Sequence, residues 1–451
     1  MSDEERSRSD GGRLIHLNLF MRLYGHHPSA WQRDAASRTD AFAPDWFAGL
    51  AQTCERGLFD AVFLADSQQA VYQREDVSTA SMFEPLTLLS YIAARTERIG
   101  LIATVSSTLH HPVNAARSIA SLHLISGGRA GVNLVTSQSD DEARLHGMDA
   151  LPEHGRRYSR AQEFAELLFA LWDSYPADAV LMDKADEVFL DASRLTRLDH
   201  DGAEFRIRGG LNIPQTAAGR PVLVQAGASA QGRDLAARYA EAIYGIGSTI
   251  EDGRAYYEDI KRRAIGFGRP ESAITVLPGI VTIIGDTLEE AQEKKRWLDS
   301  LKSVPRQLDT LSGYIGMDCS GWELDDPMPE LPPLQEFAGP KGRYVMMQTL
   351  SHDDHGRLVT VGEMLSRISA GGGHLTSIGT PSMIADEMAT WFEGRAADGF
   401  NVNASLLPEG IDEFVDRVVP ELQDRGLYRT EYTASTLRGH FAQTTAPELV
   451  A

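Results

Sequence analysis

Eight times along the chain, a short and almost unbroken apolar run ends in small or polar residues and gives way to a helical stretch. The runs cover residues 15–20 (IHLNLF), 61–65 (AVFLA), 99–105 (IGLIATV), 130–135 (AGVNLV), 221–225 (PVLVQ), 242–246, 274–284 and 400–407 (FNVNASLL). Strands apolar on both faces belong to a parallel sheet covered by helices. Eight such units favour an α/β fold of the closed (β/α)8 TIM-barrel type. An open doubly wound sheet would carry GxGxxG after its first strand, where this chain reads MRLYGHH.

The helical stretches fall at 45–56, 84–96, 112–125, 157–172, 230–240, 253–264, 287–301, 381–393 and 411–425. Pro85 suits a first helical turn, and Gly127-Gly128 suits a helix end. Two segments break the rhythm. Residues 173–220, after strand four, are acidic, then Gly-rich, and fit an excursion with a small hairpin that includes 204–207. Residues 304–378, after strand seven, hold the PMPELPPL run and the Gly371–Gly373 cluster, and are expected to be extended segments, loops and short helices. The expected organisation is a disordered leader over 1–12, one barrel domain over 13–429 carrying both insertions, and a polar tail over 430–451 that wraps a surface or a neighbouring subunit. A bare barrel needs only about 250 residues, so 451 residues leave room for the insertions.

Composition narrows the function classes. With 43 basic and 64 acidic residues the net charge is −21, which argues against nucleic acid and anionic lipid as partners. No run approaches the ~18 apolar residues of a membrane span. The two cysteines, Cys54 and Cys319, form no CxxC, so neither a disulfide framework nor a structural zinc site is expected. No HExxH, no GxSxG and no dense carboxylate cluster appears. The expectation is a cytoplasmic protein without a metal.

Barrel enzymes work at the C-terminal ends of their strands. Those ends hold residues 22–27, Asp66, Thr104, Ser106, Ser107, Asn133, Thr136, Ser137, the run Gly227-Ala228-Ser229, and Gly247-Ser248. In QAGASAQGRDLA a strand closes on small residues and a helix starts directly behind. Helix-start N–H groups with the Ser229 hydroxyl make a phosphate site. The same residues also make an ordinary N-cap. Asn133 and Thr136 can hydrogen-bond a planar polar ring, or simply satisfy polar groups of the barrel interior. His154 and Tyr158, four apart, share a helix face and suit a ribityl chain or phosphate; a surface pair packed on the excursion is the alternative. The pairs His26-His27 and His110-His111 each offer one ring to the mouth.

These residues carry a resemblance. The stretches HLNLFMRLYGHHPSAW, GLFDAVFLAD, EPLTLLSYIAARTERIGLIATVSST, HPVNAARSIASLHLISGGRAGVNLVTS, EHGRRYSRAQEFAELLFALWDS, GLNIPQTAAGRPVLVQAGAS and ADGFNVN resemble the bacterial luciferase-like flavin monooxygenases. The branch is that of nitrilotriacetate monooxygenase component A, dibenzothiophene-sulfone monooxygenase and long-chain alkane monooxygenase. The resemblance spans roughly residues 14–250 and weakens to about 425.

The resemblance implies a two-component system. A separate NAD(P)H:FMN reductase supplies reduced FMN, which reacts with O2 as a flavin hydroperoxide and oxygenates a small organic substrate. It implies FMN contacts at Asp66, Thr104, His154, Tyr158 and Ser229, to which Asn133 and Ala228 are added by position. It implies a homodimer or homotetramer. His26 and His111 are the candidates to protonate or orient the oxygen species. Tyr24, Ser137 and Gln138 border the substrate space. Some relatives carry His where this chain has Gln138, and Tyr24 is bulkier than expected. The competing functions are a deazaflavin-dependent oxidoreductase on the same barrel and a non-catalytic flavin-binding protein.

Overall fold

The computed structural model describes residues 12–70, 82–245, 247, 249–337, 341–353, 355–371 and 374–442. Strands β1 (His16–Met21), β2 (Ala61–Leu64), β3 (Gly100–Ser106) and β4 (Ala130–Val135) are followed by two antiparallel hairpins. These are β5 (Val180–Asp183) with β6 (Val188–Leu190), and β7 (Leu198–Asp201) with β8 (Arg206–Gly209). The parallel series resumes with β9 (Val222–Gln225), β10 (Ala242–Gly245), β11 (Thr275–Ile284), β12 (Leu375–Gly379) and β13 (Gly399–Ala404).

Strands β1, β2, β3, β4, β9, β10, β11 and β13 pair in that circular order, and β13 returns to β1. The expected closed eight-stranded barrel is therefore the fold. It needs no edge protection, because closure leaves no free edge. Both faces of every barrel strand are buried, which is why the runs are apolar throughout.

Outside the barrel lie α1 (Pro44–Arg56), α2 (Pro85–Ala93), α3 (Pro112–Ile125), α4 (Asp140–Leu145), α5 (His154–Asp173), α6 (Ala230–Tyr239), α7 (Ile250–Gly266) and α8 (Leu288–Ser300). Then come α9 (Val304–Ile315), α10 (Lys341–Leu350), α11 (Val361–Gly371) and α12 (Pro381–Glu393). Proline occupies the first turn of α1, α2, α3 and α12, where its missing N–H is harmless.

Several expectations change. The excursion after β4 holds two hairpins rather than one. The excursion after β11 is mainly helical: α9, α10 and α11 enclose a core of their own around Leu311, Tyr344, Met347 and Met364. It ends in β12, a ninth parallel strand that pairs with the last five residues of β11. The apolar content of 304–378 is spaced for helix faces, a signal masked by its prolines. The helix expected over 411–425 runs without interruption over 409–424 and widens into a π segment at Phe414–Val418, just before Pro420, which has no N–H to continue the ladder.

The tail segment closes the bottom of the barrel. Leu437 is fully buried, and its methyl groups stand 2.5 Å and 2.8 Å from where a Cβ on Gly100 and Gly131 would lie. Tyr428 and Tyr432 donate to the carbonyls of Leu58 and Phe59, and Arg429 pairs with the fully buried Asp60. Burial opposes the charge of Asp60, but Arg429 and His16 outweigh it and hold the carboxyl well below its ordinary range. The leader to residue 11 and residues 443–451 lie outside the described residues.

Candidate active site

Strand alternation decides what faces the barrel axis. Phe63, Ile102, Val224, Tyr244, Leu277 and Leu437 cluster there, with Phe20 packed against them. Two residues further up β3 and β4, Thr104 and Asn133 are register partners on the same face. The Asn133 Nδ2 donates to the Thr104 hydroxyl at 3.0 Å, and Asn133 Oδ1 is buried with no hydrogen-bond partner among the described residues. A buried acceptor left in this state costs about 1–3 kcal/mol unless a ligand donates to it.

The QAGASAQG turn sits between β9 and α6. Ser229 caps α6, its Oγ accepting from Gly232 N at 3.1 Å. The N-cap alternative is therefore real, but other groups converge on the same point. A Cβ on Gly232 would stand 3.1 Å from the Tyr158 hydroxyl and 3.3 Å from Ser229 Oγ. The His154 and Tyr158 rings lie 4.9 Å apart at the start of α5. Tyr256 donates to the Gly227 carbonyl at 2.9 Å and Arg233 to the Ala228 carbonyl at 3.0 Å, fixing the turn. The arrangement is a small-walled cradle bounded by a hydroxyl, a phenol and an imidazole, at a helix N-terminus.

Asp66 is half-buried beyond β2. Burial pushes its carboxyl up, a hydrogen bond from Gln68 works against this, and Glu84 and Glu142 add to the rise. Ser137 takes a left-handed backbone (φ 58°) and donates to Ser106 Oγ at 2.9 Å, while Gln138 is exposed. Arg157 donates to the Ser137 carbonyl and so pins this turn to α5.

The two histidine candidates separate. The His26 ring lies edge-on to Phe20 (6.3 Å) and to His374 (5.6 Å), at the top of the axial cluster. His111 is instead the exposed N-cap of α3. Its Nδ1 accepts from Val113 N, and its ring leans on Phe205 of β7–β8. The pattern HHP hid this, because a histidine just before a helix-starting proline is also a cap. Tyr24 likewise turns aside: its hydroxyl donates to the Ser37 carbonyl at 2.9 Å and its ring packs on Trp46. His27 is buried and structural, with its Nδ1 accepting from Ser29 N and its Nε2 3.1 Å from Asp299.

Sequence reasoning missed a polar hub. Asn403 of β13 donates to the Tyr244 hydroxyl of β10 at 3.0 Å. A Cβ on Gly279 would collide with that hydroxyl and would lie 2.7 Å from His374 Nδ1 and 2.8 Å from Asn403 Nδ2. Glycine on β11 makes this convergence possible. The alternation of Asn401 and Asn403 within FNVN was the available signal. Among the described residues, no group of three or more His, Cys, Asp or Glu is placed to hold a metal.

The fold is thus that of a (β/α)8-barrel enzyme, with the candidate groups gathered at the strand ends and the adjoining helix starts. The chain belongs to the luciferase-like monooxygenase family, whose model matches residues 25–398. It is 40% identical over 428 residues to the N-acetyl-S-(2-succino)cysteine monooxygenase of Bacillus subtilis (strain 168), covering 95% of this chain and 96% of that one. It is 38% identical to nitrilotriacetate monooxygenase component A of Aminobacter aminovorans, covering 94% and 96%. Among solved structures, EDTA monooxygenase from Chelativorans sp. BNC1 superposes with a TM-score of 0.79 at 32% identity, over 96% of this chain and 99% of that chain. A riboflavin lyase solved with modified FMN does so at 0.79 and 27%, over 95% and 96%. The chain is an enzyme of the monooxygenase class. No helix among the described residues is long and apolar enough to cross a membrane.

Proposed function

We propose that this chain is the oxygenase component of a two-component system that uses reduced FMN and O2 to oxygenate a small organic substrate. The observation that carries the reading is the cradle of Ser229, Gly232, Tyr158 and His154 at the α6 N-terminus. Its small walls and positive helix end fit a phosphate monoester. The unpartnered Oδ1 of Asn133 fits a ring N–H on the axial side. The FMN-bearing riboflavin lyase and the relative named component A support the same reading.

Bound FMN would supply the chemistry of O2 activation, which no side chain can provide. The chain's own residues then have definable tasks. Ser229, Ala228, His154 and Tyr158 hold the phosphate end. Thr104, Asn133 and Asp66 orient the ring. Phe20, Phe63 and the buried aromatic wall exclude water. His26 holds or moves a proton at the mouth, next to His374. Ser137 and Gln138 border the substrate. An NAD(P)H:FMN reductase is the functional partner, and a homodimer or homotetramer is the assembly.

The test supplies reduced FMN from such a reductase under O2 and scores candidate substrates for the mass gain of one oxygen atom. The relatives named for N-acetyl-S-(2-succino)cysteine, nitrilotriacetate and EDTA make polycarboxylates the first compounds to screen. A protein that binds reduced FMN no more tightly than riboflavin, and oxygenates nothing, would sink the reading.

A further inference from the structure

Two features outside the active site lie at the N-terminal side of the barrel. The first is a cavity of 490 Å³ lined by Arg220, Arg238, Arg269 and Arg438 against two carboxylates, Asp173 and Glu241. Arg269 is committed to the last carbonyls of α6, and Arg438 to a two-pronged pair with Glu241. Arg220 and Arg238 are held loosely. Their guanidinium carbons stand over Phe169 (4.6 Å) and Tyr239 (5.2 Å), with their carboxylates Asp173 and Glu166 at 3.6 Å. On a chain of net charge −21, this cavity is a local excess of positive charge.

The second feature is the β5–β6 hairpin, whose first strand begins seven residues after Asp173 of the cavity wall. Its apolar side chains face water: Phe189 is 62% exposed and Met182 60%, with Leu181 and Val188 also exposed. Its tip carries Asp183, Asp186 and Glu187 against one lysine. A lone two-stranded hairpin is marginal in water, and its ladder is irregular between Val180 and Asp183, where Met182 has a φ of 51°. An exposed apolar ribbon of this kind is a contact surface.

We propose that a second copy of this chain covers the hairpin, with the β5–β6 arm of each copy seated in the arginine cavity of the other. Charge selects the occupant: an acidic tip and a basic cavity complement each other. Position favours a closed pair, because the arm begins only seven residues beyond Asp173 of the cavity wall. A two-fold axis passing near Asp173 therefore brings each arm to the other's cavity, and an isologous contact of that kind terminates as a pair. The proposal rests on the homo-oligomer reading above and names its surface.

The test measures the mass of the full-length protein by light scattering. One variant reverses the arm (Asp183→Arg with Asp186→Arg), and another reverses the cavity (Arg220→Asp with Arg238→Asp). Each alone is expected to halve the assembly mass, because like charges now meet. Mixed in equal amounts, they are expected to restore it, since both mismatches become matches. Phe189→Asp is expected to halve the mass without rescue by either. Variants that keep the wild-type mass while the wild type is oligomeric would overturn this surface and leave the homo-oligomer reading standing. A monomeric wild type would overturn both. Halved masses that mixing fails to restore, in variants with wild-type circular dichroism, would also reject arm exchange.

Discussion

Asn133 gives its amide hydrogen to the Thr104 hydroxyl across 3.0 Å, and this bond leaves its own oxygen buried and unpartnered. Asn133→Ala removes that acceptor together with the amide that donates to Thr104. Reduced FMN is expected to bind about tenfold more weakly, which is about 1.4 kcal/mol, near the upper end for one hydrogen bond. Anaerobic fluorescence titration measures this. Unchanged affinity would make Asn133 a purely structural residue.

Ser229→Ala costs the α6 cap about 1 kcal/mol of stability whatever the ligand, so stability alone does not test the cradle. The preference for FMN over riboflavin does. Tyr158→Phe, which leaves the cap untouched, is expected to narrow that preference by about tenfold. An undiminished preference would remove the phosphate from this turn.

The two histidines should respond differently. His111→Ala is expected to lower stability by about 1 kcal/mol, as cap removals do, and to leave product formed per NADH unchanged. His26→Ala is expected to lower that ratio, with hydrogen peroxide released instead. Assaying product and peroxide together checks both. Equal loss in the two variants would contradict the assignment.

Leu437 fills the bottom of the barrel between Gly100 and Gly131. Leu437→Ala is expected to cost about 2–5 kcal/mol, the usual range for an emptied core leucine. Urea unfolding followed by circular dichroism reads this directly. A loss below ~1 kcal/mol, the scale of surface changes, would show that the plug is dispensable.

His123 is buried on α3, where burial lowers its pKa from 6.5 to about 4, against the backbone bond to the Gly219 carbonyl. The unfolded chain then takes up the proton first. Stability is complete above about pH 6.5 and is lost as the pH falls toward 4, by up to about 3 kcal/mol. Urea midpoints at pH 7.5 and 4.5 should differ more for the wild type than for His123→Asn. An equal drop in both would assign the acid sensitivity to other groups.

The barrel was legible because its signal is local. Each strand between helices is apolar on both faces, and the period of that pattern is written in adjacent residues, as in IGLIATV. The turn at Ser229 was legible for the same reason, since strand, small residues and helix are contiguous. His111 and Tyr24 were not, because one residue type serves a cap, a wall or a catalyst equally well. Only the neighbours Val113, Ser37 and Trp46 decide between them.

The sequence by itself determined the order of the eight barrel strands and the helices between them, and hence the closed sheet. Tertiary structure alone decided which side chains meet. Tyr244 and Asn403 stand 159 positions apart, and Gly279 matters only because both oppose it. Leu437 reads as part of a polar tail until closure creates the hole that it fills. Patterning fixes the local backbone through short-range sterics and burial. The contacts that make the site and the plug arise only when the barrel closes and distant strand ends share one axis.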